Sequence, residues 1–167
     1  MNSPNVSTET LKSAQAEAGR ADLSAVFRLA YISRASKTLT PEGLRAIEEV
    51  SGQKNAKADI TGILVMDSGR ILQVLEGEQT RVTELFQRIA RDSRHERVLQ
   101  VAGGEQDSRL LNCWSMVSGQ GGRTPEDILE QFHSLYDRLA GVEQLVEITP
   151  TEVDLLKTIS LFRSIPG

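Results

Sequence analysis

Gln73 is the residue that packing alone explains least. It lies in Arg70–Leu75, where Ile71, Gln73 and Leu75 share one face of an extended strand and Leu72 and Val74 share the other. A strand with two apolar faces is covered on both sides, so the Gln73 carboxamide is placed inside a core. Each polar group left unpaired there costs about 1–3 kcal/mol. Its partner is another side chain, a backbone group or a polar, planar ligand. Tyr31 is the first candidate, on a face shared with Phe27 and Leu29. A phenol and a carboxamide can each donate and accept, so as structure alone the two would satisfy each other. Asn55, a few residues before the next apolar run, reads on spacing as a turn or helix C-cap residue. Trp114, the only tryptophan, and Met116 share a strand face, and core packing accounts for both. Arg88 suits a phosphate at a cleft edge or a solvated helix face. Cys113, the only cysteine, has no histidine near it in sequence and reads as an idle thiol.

Composition narrows the classes. A chain of 167 residues fits one domain with some extra helix. A net charge of −4 argues against a nucleic-acid binder, which presents a basic face. No apolar run approaches the ~18 residues of a membrane span, and there is no apolar signal core at the N-terminus, so a cytoplasmic location is expected. The single cysteine excludes an intrachain disulfide. His95 and His133 stand far apart without ligand spacing, so no metal site is expected. Walker, GxGxxG and GxSxG motifs are absent.

The elements that must position these residues follow from periodicity and punctuation. Residues 1 to about 24 form a polar arm. A first strand spans 26–33. Thr40-Pro41-Glu42 starts a helix with a capping hydroxyl, proline at the first helical position and an acid at the positive end of the dipole. Leu44, Ile47 and Val50 are expected as its buried stripe. Ile60–Met66 and Arg70–Leu75 flank Asp67-Ser68-Gly69 as a hairpin. Val82, Leu85, Phe86, Ile89 and Ala90 recur at helical spacing. Strands are predicted at 97–102 and 114–117, with a break at Gly119–Gly122. Two helices follow, one begun by Thr124-Pro125 and one by the capping box Thr149-Pro150-Thr151-Glu152. The order is β-α-β-β-α-β plus a strand and two helices. That predicts an α+β, ferredoxin-like sheet with two helices on one face and the C-terminal pair on the other. Three parts are expected: the arm at 1–24, a core domain at 25–120 and a helical extension at 121–167.

Taken together, RLAYISRAS, QKNAKADITGILV, RILQVLEGE, ARDSRHERV and CWSM, in this order, resemble the BLUF domain, a flavin-using blue-light sensor, over about Phe27 to Gly119. The resemblance implies a flavin between the two helices of one sheet face, FAD in the first place and FMN as a substitute. It implies that Tyr31 is the strand-one tyrosine and that Gln73 lies beside the flavin N5 and C4 carbonyl. Asn55 is the counterpart of the asparagine that hydrogen-bonds the ring, with Lys54 at a more variable position beside it. Ile47 and Ile89 are the apolar residues that sandwich the ring. Arg88 and Asp92 belong to the ribityl-phosphate side. Trp114 and Met116 are the last-strand pair that exchange places near Gln73. The chain departs from many relatives at Leu111, where they carry phenylalanine.

The implied activity is photochemical. Tyr31 gives an electron and a proton to the photoexcited flavin, Gln73 relays the proton and returns rearranged, and the absorption moves to the red. No acid–base pair or nucleophile suggests an enzyme, and the residues after Gly119 are too few for a cyclase or phosphodiesterase domain. Output is therefore expected through strand five and the C-terminal helices to a downstream protein or a homo-oligomer, dimer or larger. The alternative is a light-independent ferredoxin-like module for small-ligand binding or oligomerisation.

Overall fold

The computed structural model of the protein describes residues 25–37, 39–118 and 124–161; the expected arm at 1–24 and the break at Gly119–Gly122 lie outside the described residues. In chain order, Val26–Ala35 is β1, Pro41–Lys57 α1, Thr61–Asp67 β2 and Arg70–Gly77 β3. Gln79–Ala90 is α2, His95–Gln106 β4, Trp114–Ser118 β5, Glu126–Ala140 α3 and Pro150–Leu161 α4.

The five strands make one sheet in the order β4-β1-β3-β2-β5. β2–β3, β1–β3 and β1–β4 are antiparallel, and β5 joins parallel to β2. This is the expected α+β, ferredoxin-like arrangement with one added edge strand. The β2–β3 turn has two residues, Ser68 and Gly69, with φ of 48° and 74°. Positive φ at both central positions defines the type I′ turn, whose twist matches that of the flanking strands. It pairs Asp67 with Arg70 and places Gln73 opposite Leu64.

The two faces carry different helices. Ala30, Ile32, Ile63, Val65, Leu72 and Val74 pack against Phe132, Leu135, Tyr136 and Leu139 of α3 and against Val153, Leu156 and Ile159 of α4. The C-terminal helices thus cover the second face, as expected. Polar ties fix their placement: His133 Nε2 lies 2.7 Å from Asp67 Oδ2, and the Tyr136 hydroxyl donates to Ser33 O at 3.0 Å. The first face carries α1, packed on β5, and α2, packed on β1.

The local signals that depend on neighbours in sequence match the structure. Thr40 accepts from Gly43 N at the start of α1. In the Thr149–Glu152 capping box, each side chain accepts the other's backbone N–H, at 2.9 and 3.3 Å. Three details differ. The fourth strand is longer than 97–102, because pairing with β1 extends it to both ends. The start of α3 has Pro125 at the N-cap with no side-chain cap, and Glu126 and Asp127 supply the negative charge its N-terminus favours. Val50 is 48% exposed rather than part of the buried stripe of α1. Ile47 and Ser51 are half-buried and Asn55 is buried, at four-residue spacing, so the inward line of α1 ends on a polar carboxamide, while the Leu44 side chain lies outside the described residues.

Candidate functional site

The β1–β3 register pairs Tyr31 directly with Gln73. Both are buried, and the Tyr31 hydroxyl donates to Gln73 Oε1. Phe86 of α2 packs on the Tyr31 ring at 5.4 Å between centroids, and His95 meets its edge at 6.2 Å. Burial, aided by the negative charge of Asp92, pushes the Tyr31 phenol well above its ordinary range. Burial thus favours the neutral phenol, which retains its proton.

Gln73 lies at a seam. On one side Leu29, Tyr31, Ile60, Leu75 and Val82 cluster with Phe86 and Ile89 from α2. On the other, Leu64, Met66, Ile71 and Met116 cluster with Ile47 of α1 and with Trp114. Gln73 falls between Ile71 of one cluster and Leu75 of the other on the same strand face. Asn55, near the C-terminal end of α1, is buried, and its backbone carbonyl accepts from Ile60 N at 2.8 Å. Trp114 Nε1 is buried without a hydrogen-bond partner among the described residues. One face thus offers a phenol, two carboxamides and an unpaired indole N–H, with isoleucines on the two helices above it. This donor set fits a planar heteroaromatic group with a polar edge, and a flavin ring is such a group.

The expected residues divide into those the fold gathers and those it leaves apart. Tyr31 and Gln73 touch, and Ile47 and Ile89 are half-buried on the two helices of the same face. Met116 lies in the cross-sheet row of Gln73, through Leu64, whereas Trp114 lies in the row of Leu75, through Gly62. Trp114 packs against Gly52 of α1. Lys54 and Arg88 are exposed. Asp92 is engaged within its own loop: Arg94 donates from its backbone N and its Nε, both at 2.9 Å, to Oδ1. These bonds from Arg94 hold the Asp92 carboxyl at about 2. Among the described residues no cluster of His, Cys, Asp and Glu could hold a metal ion. No described helix is long and apolar enough to cross a membrane.

The sequence brings in His95 only as an unsuitable metal ligand and does not point to Ser33, yet His95 meets the edge of the Tyr31 ring and Ser33 adjoins His95. Ser33 Oγ lies 2.9 Å from His95 Nδ1. Arg94 and His95 stand within ARDSRHERV, and a search for histidines at ligand spacing overlooks a histidine that strand pairing brings to a tyrosine. Burial depresses the His95 pKa below its ordinary 6.5, more than the Asp92 charge raises it. A base with a depressed folded pKa stabilises the fold fully above its unfolded value, and that contribution is lost as pH falls through the folded one. Unfolding stability is therefore expected to drop as pH falls below about 6.5, and His95→Gln is expected to flatten that slope. Equal slopes in denaturant titrations of the two proteins between pH 7.5 and 5 would contradict this.

The comparisons agree with the geometry. The family described as "Sensors of blue-light using FAD" (BLUF) matches residues 26–117. The photoactivated adenylate cyclase subunit beta of Euglena gracilis is 33% identical over 113 residues, which is 67% of this chain but only 13% of that subunit. The dark-state structure of BlrB, a BLUF protein, aligns with a TM-score of 0.61 at 27% identity over 83% of this chain and 97% of BlrB. Photo-activated BlsA aligns with a TM-score of 0.63 over 85% of this chain and 99% of its own, and at 23% identity it speaks for the fold alone. A sheet that buries a paired tyrosine and glutamine beneath two helices, on a chain matched from β1 through β5, has one family reading: the chain belongs to the BLUF family of blue-light sensors that use flavin.

Proposed function

We propose that this chain is a blue-light photoreceptor that binds one flavin non-covalently between α1 and α2 and signals by rearranging the hydrogen bonds of Gln73. The observation that carries this reading is the buried Tyr31–Gln73 hydrogen bond at the seam between two apolar clusters. FAD is the expected form, and FMN, with the same ring system, is expected to bind too. Ile47 and Ile89 would sandwich the ring and Asn55 would hold its polar edge. Arg88 and Asp92 would lie toward the ribityl-phosphate side, with Lys54 at the more variable position beside Asn55.

Bound flavin supplies the blue-light absorption and, when excited, the oxidant. Tyr31 loses an electron and then its hydroxyl proton. The proton leaves through Gln73 Oε1, the atom the phenol already bonds. Gln73 then changes its amide by tautomerism, rotation or both. Tyr31 tolerates either orientation, because its hydroxyl accepts from an N–H as readily as it donates to a carbonyl. Tyr31 then recovers its electron and proton, so the lasting difference is the hydrogen bond that Gln73 presents. A buried, connected network with two discrete arrangements has the property a switch needs.

Output would leave through β5. Met116 lies in the Gln73 row, and β5 precedes α3, whose ties to Asp67 and Ser33 set its docking. A partner protein or a second copy of the chain would read the altered docking, and no catalytic step within this chain is required. Coupling of this kind needs only about 1–3 kcal/mol between the two sites.

The test is direct. Heating the purified protein should release flavin in proportion to chain, and blue light should shift the absorption of the native protein to the red. A folded sample that neither carries flavin nor takes it up overturns the reading in favour of a colourless-ligand module. Asn55→Ala should weaken flavin retention by about tenfold, the worth of one buried hydrogen bond. Equal retention would reduce Asn55 to the residue that ends α1.

A further inference from the structure

β4 and β5 lie at opposite edges of the sheet. Residues 107–113, which join them, must cross four strand spacings, about 19 Å. The same stretch reaches about 27 Å when extended, so it runs as a strap along one end of the sheet with little slack. Its anchors are ionic. Glu76 is completely buried, on the face of β3 opposite Gln73. Its carboxylate accepts from Arg28 Nε at 2.7 Å, from Leu110 N at 3.0 Å and from Leu111 N at 2.8 Å. Arg28 also donates to Gln106 Oε1 at 2.8 Å, at the end of β4, and to Ser108 O at 3.4 Å. Arg109 reaches on to β2, donating to Thr61 Oγ1 at 3.0 Å and to Asp59 Oδ2 at 2.8 Å. Beyond the anchors, the Cys113 carbonyl accepts from Gly62 N and Trp114 pairs with Gly62.

Arg28 and Glu76 are register partners on the same two strands as Tyr31 and Gln73. We propose that Glu76 is a positioning residue: its carboxylate clamps the strap and so sets where β5 meets β2, and it is the fixed point against which β5 responds to Gln73. The inference rests on the photoreceptor reading for its light-dependent half only. A buried carboxylate needs its full set of donors, and this one takes two of them from consecutive amides just before β5. A shift of β3 or β5 therefore cannot leave the clamp unchanged.

Glu76→Gln in the full chain is the test. The amide retains the shape but turns one acceptor into an NH2 that must face Arg28 or a strap N–H. Flavin binding and the red shift should persist, since neither Tyr31 nor Gln73 is touched. Dark-state amide exchange at residues 110–118 should rise tenfold or more, and the light-minus-dark difference there should fall to less than half that of the parent protein. Parent-like exchange in both states overturns the proposal. Should Glu76→Gln not retain flavin, Arg28→Lys, which preserves the charge and loses the fork to Gln106 and Ser108, is measured in the same way. Faster exchange confined to 106–118 supports the clamp, and unchanged exchange overturns it. Loss of flavin from both variants assigns the pair to core stability and also overturns it. A parent protein with no red shift refutes the photoreceptor reading, while the dark-exchange comparison, which needs no light, still decides the clamp.

Discussion

Gln73→Leu is expected to retain flavin and to lose the light-induced red shift entirely. Leucine has roughly the volume of glutamine, so the seam between the two apolar clusters stays filled, but every hydrogen-bonding group at position 73 is gone. The Tyr31 hydroxyl then loses its acceptor in a fully buried place. A stability cost of about 1–3 kcal/mol follows from the unpaired phenol, well short of unfolding an ordinary domain. Tyr31→Phe reaches the same spectral end from the other side. It leaves Gln73 in place with Oε1 unpaired and removes the group that supplies the electron and proton. Flavin content should be measured before illumination in both variants, so that loss of the chromophore is not mistaken for loss of the switch. A normal red shift in either variant would show that the rearrangement does not run through the Tyr31–Gln73 bond.

The largest stability effect is expected at Phe132→Ala. Phe132 is fully buried, in the cluster that joins α3 and α4 to the sheet, with the Tyr136 ring 6.4 Å away. Truncating a buried phenylalanine costs about 3–5 kcal/mol, because the lost transfer energy is joined by the cavity left behind. For a chain of this size that is a fall in Tm of roughly 6–20 °C. The flavin seam lies on the opposite face, so the variant at low temperature should still bind flavin and shift to the red. A cost below about 1 kcal/mol would mean that α3 is not held on the sheet by this cluster, and β5 would then have no docked helix to act upon.

How much was legible in advance depends on how far apart the interacting residues stand. The β2–β3 hairpin, the Thr40 cap, the Thr149–Glu152 box and the two-faced apolar strands were determined by the sequence itself. Each is a rule about neighbours two to four residues apart. The oddity of Gln73 was visible for the same reason, as a polar break in a period-two pattern. That Tyr31 is its partner followed only from the topology inferred for the strands, and the β1–β3 register makes it so. Tertiary structure alone decided the rest. Glu76 stands three residues after Gln73 and directly follows the apolar run, yet its meaning depends on Arg28 and on the amides of Leu110 and Leu111, which chain order places far away. Asp92 and Arg94 pair locally, but that the Asp92 charge acts on Tyr31 depends on β4 lying beside β1. In α1, Val50 is apolar by type yet exposed, and Asn55, a poor core residue by type, is buried by position. Periodicity ranks residues by hydrophobicity, whereas a binding seam selects polar groups for burial, and only the packed sheet and helices show where that exception falls.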